Sequence, residues 1–135
     1  MKKRRIKTFL IVFVVLFSVT LIGTFVFNSM QKGLDQLLTL EMTEIDLSAV
    51  EDGTYLGTYS QLPVSVKLTV TVLNHDITAI EILEHDNGQG TAGEAVIDSV
   101  IAFDSVLIDT VAGATYSSKV ILLAVKDAIE NKVLA

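Results

Sequence analysis

The chain has 135 residues, which is enough for one small domain in addition to an N-terminal segment. It contains no cysteine, which excludes a disulfide framework, a thiolate metal site and a lipid anchor on cysteine. Ten basic residues stand against sixteen acidic ones, a net charge of −6, and residues 31–135 hold five lysines against all sixteen acids, a net charge of −11. Nucleic acid is therefore a poor partner for this part of the chain, and solubility alone accounts for its acidity.

An uncharged apolar run follows a basic tail at the N-terminus. Five of the first seven residues are Lys or Arg, and the 19 residues from Phe9 to Phe27 carry no charge. As a helix they span about 28 Å, close to the roughly 30 Å of a bilayer core. A cleaved signal peptide has a shorter apolar region, of about 7–15 residues, and ends in a small-residue cleavage site. We therefore favour an uncleaved transmembrane signal anchor over residues 9–28.

The charge distribution also predicts the orientation of this segment. By the positive-inside rule, the basic tail of residues 1–8 lies in the cytoplasm and the C-terminal domain is extracytoplasmic. We expect a single-pass protein of the cytoplasmic membrane.

The stretch after the span predicts a juxtamembrane stalk over residues 29–50. Apolar residues recur at spacings of three and four from Gly33 to Ile45, which is typical of an amphipathic helix packed on the membrane surface or on the domain. A turn-rich entry at residues 46–53 follows, so that the folded domain is expected over residues 51–135.

The domain opens with strand patterns. Thr54–Ser60 is rich in Thr and Tyr, Val64–Val72 alternates apolar and polar residues, and Ile77–Glu84 returns after a short turn at residues 74–76. Such a short connection predicts an antiparallel meander.

Helical patterns dominate the second half. A polar, Gly-rich loop at residues 85–90 precedes a helix predicted over Ala92–Phe103, and Ser105–Ile108 is interpreted as a further short strand. An apolar stripe runs along a last helix from Ser117 onward. The predicted fold class is α+β: an antiparallel β-meander packed with helices, preceded by one N-terminal transmembrane helix.

The most informative motif is Asp109-Thr110-Val111-Ala112-Gly113-Ala114-Thr115, which ends where the last helix begins. Small residues leave a clear path to the hydroxyl of Thr115. A phosphate there would meet unpaired N–H groups and the positive end of the helix dipole. Ser117 and Ser118 could cap the helix or donate to a phosphate oxygen. The simpler interpretation, a Gly-containing turn with a Ser or Thr cap, fits the isolated residues but not the whole string.

This string resembles the flavin-attachment motif of the FMN-binding domain family, written D-x-x-[ST]-G-A-T. Asp52-Gly53-Thr54-Tyr55-Leu56-Gly57 is similar to the D-G-x-Y-x-G opening of the same domains, so the resemblance covers roughly residues 51–132. It extends to the FMN-carrying subunits of sodium-pumping NADH:quinone reductase and Rnf-type complexes, here in a single-domain, membrane-anchored form. Ala112 departs from the motif, since the family usually has Ser or Thr there.

The resemblance implies FMN as the cofactor, joined by a phosphoester to Thr115, with no resident metal. A separate flavin transferase would attach it. The chain would then relay electrons between a membrane quinol or dehydrogenase module and an unknown acceptor, as an electron-transfer flavoprotein or oxidoreductase subunit rather than a stand-alone enzyme. The expected cofactor-binding residues are Thr115, Asp109, Gly113, Ala114, Ser117, Ser118, Tyr116 and His85.

Two of these residues have simpler interpretations, and two other functions compete. Tyr116 could stack on the flavin ring or merely cover the sheet, and His85 could donate to the cofactor or lie exposed at a strand end. Residues 88–93 match G-x-G-x-x-G, but an antiparallel meander leaves no room for a dinucleotide-binding sheet. The alternative hypothesis is a membrane-anchored, non-redox binding or regulatory module with the same fold, which Ala112 favours.

Overall fold

The computed structural model describes residues 2–86 and 90–135. Side chains are described for residues 6–86 and 91–135. The chain forms two compact units, Met1–Gly33 and Leu34–Ala135. The elements in chain order are α1 (Lys2–Thr39), β1 (Gly53–Gln61), β2 (Val64–Leu73), β3 (Asp76–Asp86), a 3₁₀ helix (Gly90–Ala95), α2 (Val96–Phe103), α3 (Thr115–Asn131) and β4 (Val133–Leu134).

The first unit consists of helix α1 up to Gly33, and this helix is long and apolar enough to cross a membrane. The apolar side chains from Ile6 to Phe27 are exposed, as they would be toward lipid. The hydroxyls of Ser18, Thr20 and Thr24 donate to backbone carbonyls three or four residues earlier. The helix therefore satisfies these polar groups internally, which an apolar environment requires.

The second unit contains a four-stranded antiparallel sheet in the order β3-β2-β1-β4. The alternation of β2 is confirmed: Val64, Val66, Leu68, Val70 and Val72 are buried on one face while their neighbours are half-buried. The α+β class and the antiparallel meander are thus as predicted, with strand ends within two residues of the expected ones. Strand β4, of only two residues, had no counterpart in the prediction.

Helix α3 covers the apolar face of the sheet. Ten of its residues are buried, and Val120, Ile121, Ala124 and Val125 are completely so. Full burial of such a Val or Ile side chain contributes about 1.5–3 kcal/mol of transfer free energy. The middle of α3 is consequently fixed against the sheet.

The amphipathic helix expected over Gly33–Ile45 is confirmed as far as Thr39 and wrong beyond it, because residues 40–50, which we name the strap, are not helical. Ile45, Leu47 and Val50 are buried in the core of the second unit. Three lysines of or next to α3 hold the strap: Lys119 Nζ donates to Leu40 O at 2.6 Å, Lys126 Nζ to Thr43 Oγ1 at 2.8 Å and Lys132 Nζ to Ala49 O at 2.7 Å. These long-range bonds and the burial replace the helical hydrogen bonds that the spacing had favoured.

The strand expected over Ser105–Ile108 is also absent, since residues 105–114 form an irregular loop. Two polar groups at the start of this loop bond to Glu44 of the strap instead. Glu44 Oε2 accepts from Ser105 Oγ at 2.7 Å, and Glu44 Oε1 accepts from Val106 N at 3.4 Å. Desolvation raises the pKa of Glu44, but hydrogen bonds from Ser105 and from the N–H groups of Ile45 and Val106 outweigh it and hold the pKa below its ordinary value.

Candidate functional site

The motif ends in a tight turn that only glycine fits without strain. Ala114 N donates to Val111 O at 3.0 Å, which closes a four-residue turn with Gly113 in its third position. Gly113 has φ +80°, the value that a type II turn requires there. The turn leaves Ala112 and Gly113 exposed and directs the chain into α3.

A buried serine fixes this turn from within the helix. The hydroxyl of Ser118 donates to Ala114 O at 3.0 Å and accepts from Val111 N at 3.1 Å. Its side chain is fully buried. The hydroxyl of Ser118 therefore fixes the turn. Its expected contact with a phosphate stays a prediction.

The helix starts two residues earlier than expected, at Thr115. Its N-cap is Ala114, which has no side-chain acceptor, so the capping role expected of Ser117 or Ser118 is wrong. In the described part of the chain, no group accepts a hydrogen bond from the N–H of Thr115, Tyr116 or Ser117. Three donors and the positive end of the helix dipole thus converge at the end of the motif.

Thr115 itself occupies the first position of the helix and is half-buried. Its hydroxyl has no hydrogen-bond partner among the described residues. Asp109 is exposed and likewise makes no hydrogen bond within that part. The hydroxyl of Thr115 is therefore free of any competing structural role.

The 3₁₀ helix packs on the first turn of α3 at Gly93. A Cβ on Gly93 would lie 2.8 Å from Ser117 Cβ and 2.9 Å from Ser118 N, closer than real Cβ atoms come. Ser117 is 2% exposed beneath this contact. Gly93 therefore has a packing role, whereas Gly88 and Gln89 of the same G-x-G-x-x-G match lie outside the described residues.

His85, expected as a cofactor ligand or an exposed strand end, has a side chain only 4% exposed. Its Nδ1 lies 2.7 Å from Glu94 Oε1. The other ring nitrogen, Nε2, is buried and has no hydrogen-bond partner among the described residues. Leaving such a group unpaired costs about 1–3 kcal/mol, so it marks a place where a polar ligand atom would be stabilising.

The structure brings most of the expected residues to one end of α3. Residues 109–118 are contiguous there, and His85 joins them through Glu94, the neighbour of Gly93 in the 3₁₀ helix. Tyr116 is half-buried against the core, as its simpler interpretation expected, while its stacking on a ring stays a prediction. The described residues include no group of three His, Cys, Asp or Glu side chains that could hold a metal.

The sequence did not predict the contact of Glu94 with His85 or that of Lys119 with the strap. Glu94 follows Gly93 in the 3₁₀ helix, where the sequence predicted the start of an α-helix, so its contact with His85 could not be read from the spacing. Lys119 could have been found, because it lies four residues after Thr115 and hence on the same helix face.

Comparison with known families adds one finding. A family model described as FMN-binding domain matches residues 63–130, just over half of the chain. The match covers β2, β3, α2, the whole motif and α3 up to Glu130. None of the curated proteins and none of the solved structures matches the chain.

Proposed function

Because the chain belongs to the FMN-binding domain family and its cofactor is FMN, we propose that it is a membrane-anchored, extracytoplasmic electron carrier with FMN joined covalently to Thr115. The observation that carries this proposal is the state of Thr115. Its hydroxyl is unbonded, and it stands at a helix N-terminus whose first three N–H groups lack acceptors among the described residues.

These groups fit a phosphate monoester or diester. Backbone N–H donors at the start of α3 suit phosphate oxygens, and the helix dipole favours their negative charge by about 0.3–1 kcal/mol near the surface. Gly113 has no side chain, and the space where its Cβ would lie is open, with nothing within 4 Å. His85, held by Glu94 next to Gly93, adds a buried Nε2 that has no partner among the described residues.

Attachment is a phosphoryl transfer from FAD that a separate flavin transferase catalyses. Oγ1 of Thr115 forms a bond to the phosphorus of the FMN half, the phosphoanhydride bond to the AMP half breaks, and AMP leaves. The hydroxyl proton passes to a base of the transferase. The small residues Ala112, Gly113 and Ala114 leave this phosphorus free to approach along the exposed turn.

The chain's own residues position and shield the cofactor. Ser118 holds the turn against α3, Gly93 lets the 3₁₀ helix close on Ser117, and Glu94 fixes the ring of His85 in one orientation. When bound, the isoalloxazine ring of FMN accepts and returns one or two electrons. A covalent link retains the cofactor outside the cytoplasm, where a lost FMN is not easily replaced.

The proposed location rests on α1 and its basic tail. The helix is long enough to span a bilayer, and five of ten basic residues precede its apolar core. We assign the tail to the cytoplasm and the flavin domain to the outer face. The redox partners are then a membrane quinol or dehydrogenase module and an extracytoplasmic acceptor.

In-gel flavin fluorescence of denatured protein tests the attachment. The full chain is co-expressed with an exported flavin transferase, as wild type, Thr115→Ala, Thr115→Ser and Thr78→Ala. Wild type and Thr78→Ala, an exposed threonine of β3, are expected to fluoresce equally, Thr115→Ser partially and Thr115→Ala not at all. Covalent fluorescence in Thr115→Ala would show that attachment occurs elsewhere.

A further inference from the structure

An open groove of about 380 Å³ lies beside the motif. It runs between the strap, the loop after α2 and the first two turns of α3. Its walls include Leu40, Met42, Leu107, Ile108, Lys119 and Leu122. We name it the motif groove; its volume lies within the 300–1,000 Å³ range of small-molecule sites.

The groove occupies the helix face that carries Thr115. Lys119 and Leu122 follow Thr115 by four and seven residues, so the three side chains share one face of α3. Leu122 is about 10 Å farther along the helix axis. Thr115 itself does not line the groove, but a group attached to its hydroxyl starts on the same helix face, about one turn before Lys119.

A second cavity of similar size is a poorer candidate. It has a volume of about 400 Å³ and lies where Ser60, Ser65, Lys67 and Glu84 meet on the sheet. No residue of α3 lines it. A cofactor attached to Thr115 would have to leave the helix face that carries Thr115 to reach that cavity.

The chemistry of the motif groove suits a flat ring with apolar faces and polar edges. Leu40 is 42% exposed and Leu107 is 54% exposed, which leaves apolar surface that a ligand would cover. Lys119 is half-buried and its Nζ is held by Leu40 O at 2.6 Å, so a cation is fixed in the groove. The other charged residue of the groove, Glu41, is exposed and its charge is screened by water.

We propose that the motif groove holds the isoalloxazine ring of the FMN attached to Thr115, with Lys119 as the positively charged group that faces it. The proposal rests on the proposed attachment. A cation next to a flavin stabilises the negative charge that reduction adds, and so raises the midpoint potential. Leu40 and Leu107 exclude water from the ring, which makes the strap part of the cofactor site.

Two matched pairs of variants test this in the flavinylated full chain. Lys119→Met removes the proposed cation, and its control, Lys126→Met, removes another α3 lysine that also binds the strap, at Thr43. Leu107→Ser opens the groove, and its control, Leu62→Ser, changes an exposed leucine in the turn between β1 and β2. Spectroelectrochemical titration measures the midpoint potential, and quenching of flavin fluorescence by neutral acrylamide measures the exposure of the ring.

We expect Lys119→Met to shift the midpoint to a more negative potential and Lys126→Met to leave it near that of wild type. Leu107→Ser is expected to raise the acrylamide quenching constant, with no change in Leu62→Ser. Equal responses in variant and control would overturn the groove assignment. This is the result expected if the exposed leucines cover a partner or lipid instead of the flavin ring. Because only molecules shown by mass to carry FMN are compared, that outcome would leave the attachment standing.

Absence of covalent FMN would instead refute the attachment. The same variants are then titrated with free FMN. Weaker binding in Leu107→Ser than in Leu62→Ser would keep the groove as the ring site of a non-covalent flavoprotein, and equal binding would exclude it.

Discussion

Replacing Ser118 with alanine removes the hydroxyl that fixes the motif turn to α3. Ala114 O keeps a second donor, because Ser118 N donates to it at 2.9 Å. Val111 N, however, loses its acceptor, which lies 3.1 Å away in the native protein. An unsatisfied buried donor costs about 1–3 kcal/mol, and Val111 is half-buried, so water can partly reach it. We therefore expect the free energy of unfolding to fall by about 1–2 kcal/mol.

Ser117→Ala is the matched control. Ser117 is also buried in the first turn of α3, but its hydroxyl makes no hydrogen bond with a described residue. Its removal is expected to change the free energy of unfolding by less than about 0.5 kcal/mol.

Tyrosine fluorescence during urea unfolding of the full chain in detergent is a suitable assay. The chain has no Trp, and its three tyrosines, Tyr55, Tyr59 and Tyr116, all lie in the second unit, so the transition reports on that unit and not on the first. The midpoint of Ser118→Ala is expected to fall at an unchanged slope. Hydrogen exchange at the amide of Val111 is expected to accelerate in this variant alone. Equal midpoints for Ser118→Ala and Ser117→Ala would refute the assigned role of Ser118.

Three further outcomes follow from the same contacts. Gly93→Ala places a Cβ 2.8 Å from Ser117 Cβ, so we expect the free energy of unfolding in urea to fall by about 1–3 kcal/mol and less covalent flavin to appear in gels. Wild-type stability and flavin content would contradict the close packing. Because the pKa of Glu44 is depressed in the folded state, its contact with the Ser105 loop is stabilising above the unfolded pKa and is lost as pH falls through the folded pKa. On acidification below about pH 4.5, the free energy of unfolding should therefore fall less in Glu44→Gln than in wild type. Parallel losses in the two proteins would contradict this role of Glu44. Ala112→Ser restores the hydroxyl that the family motif usually has, and is expected to increase the rate of flavin attachment in a time course with purified transferase; an unchanged rate would show that this hydroxyl is dispensable.

The fold could be predicted where a pattern was both local and repeated. The alternation of Val64–Val72 depends only on which face is buried, and it led directly to the central strand. The helix prediction failed in the strap, because the spacings of three and four up to Ile45 fit a helix. The conformation of the strap is decided instead by burial of Ile45 and Leu47 and by bonds to lysines more than 70 residues away.

The candidate site divides in the same way. The motif is contiguous, so Gly113 and Thr115 could be assigned from their order along the chain. The contact of His85 with Glu94 and the groove between the strap and α3 depend on tertiary packing, and no spacing in the sequence encodes them.

The most direct test of the covalent FMN assignment is the intact mass of the denatured full chain after co-expression with an exported flavin transferase. Cleavage before aspartates then releases residues 109–126, because no Asp lies between Asp109 and Asp127. We predict a mass increase equal to FMN less one water, carried by this peptide and assigned to Thr115 by fragmentation. An unmodified mass, or a flavin on any other residue, would contradict attachment at Thr115.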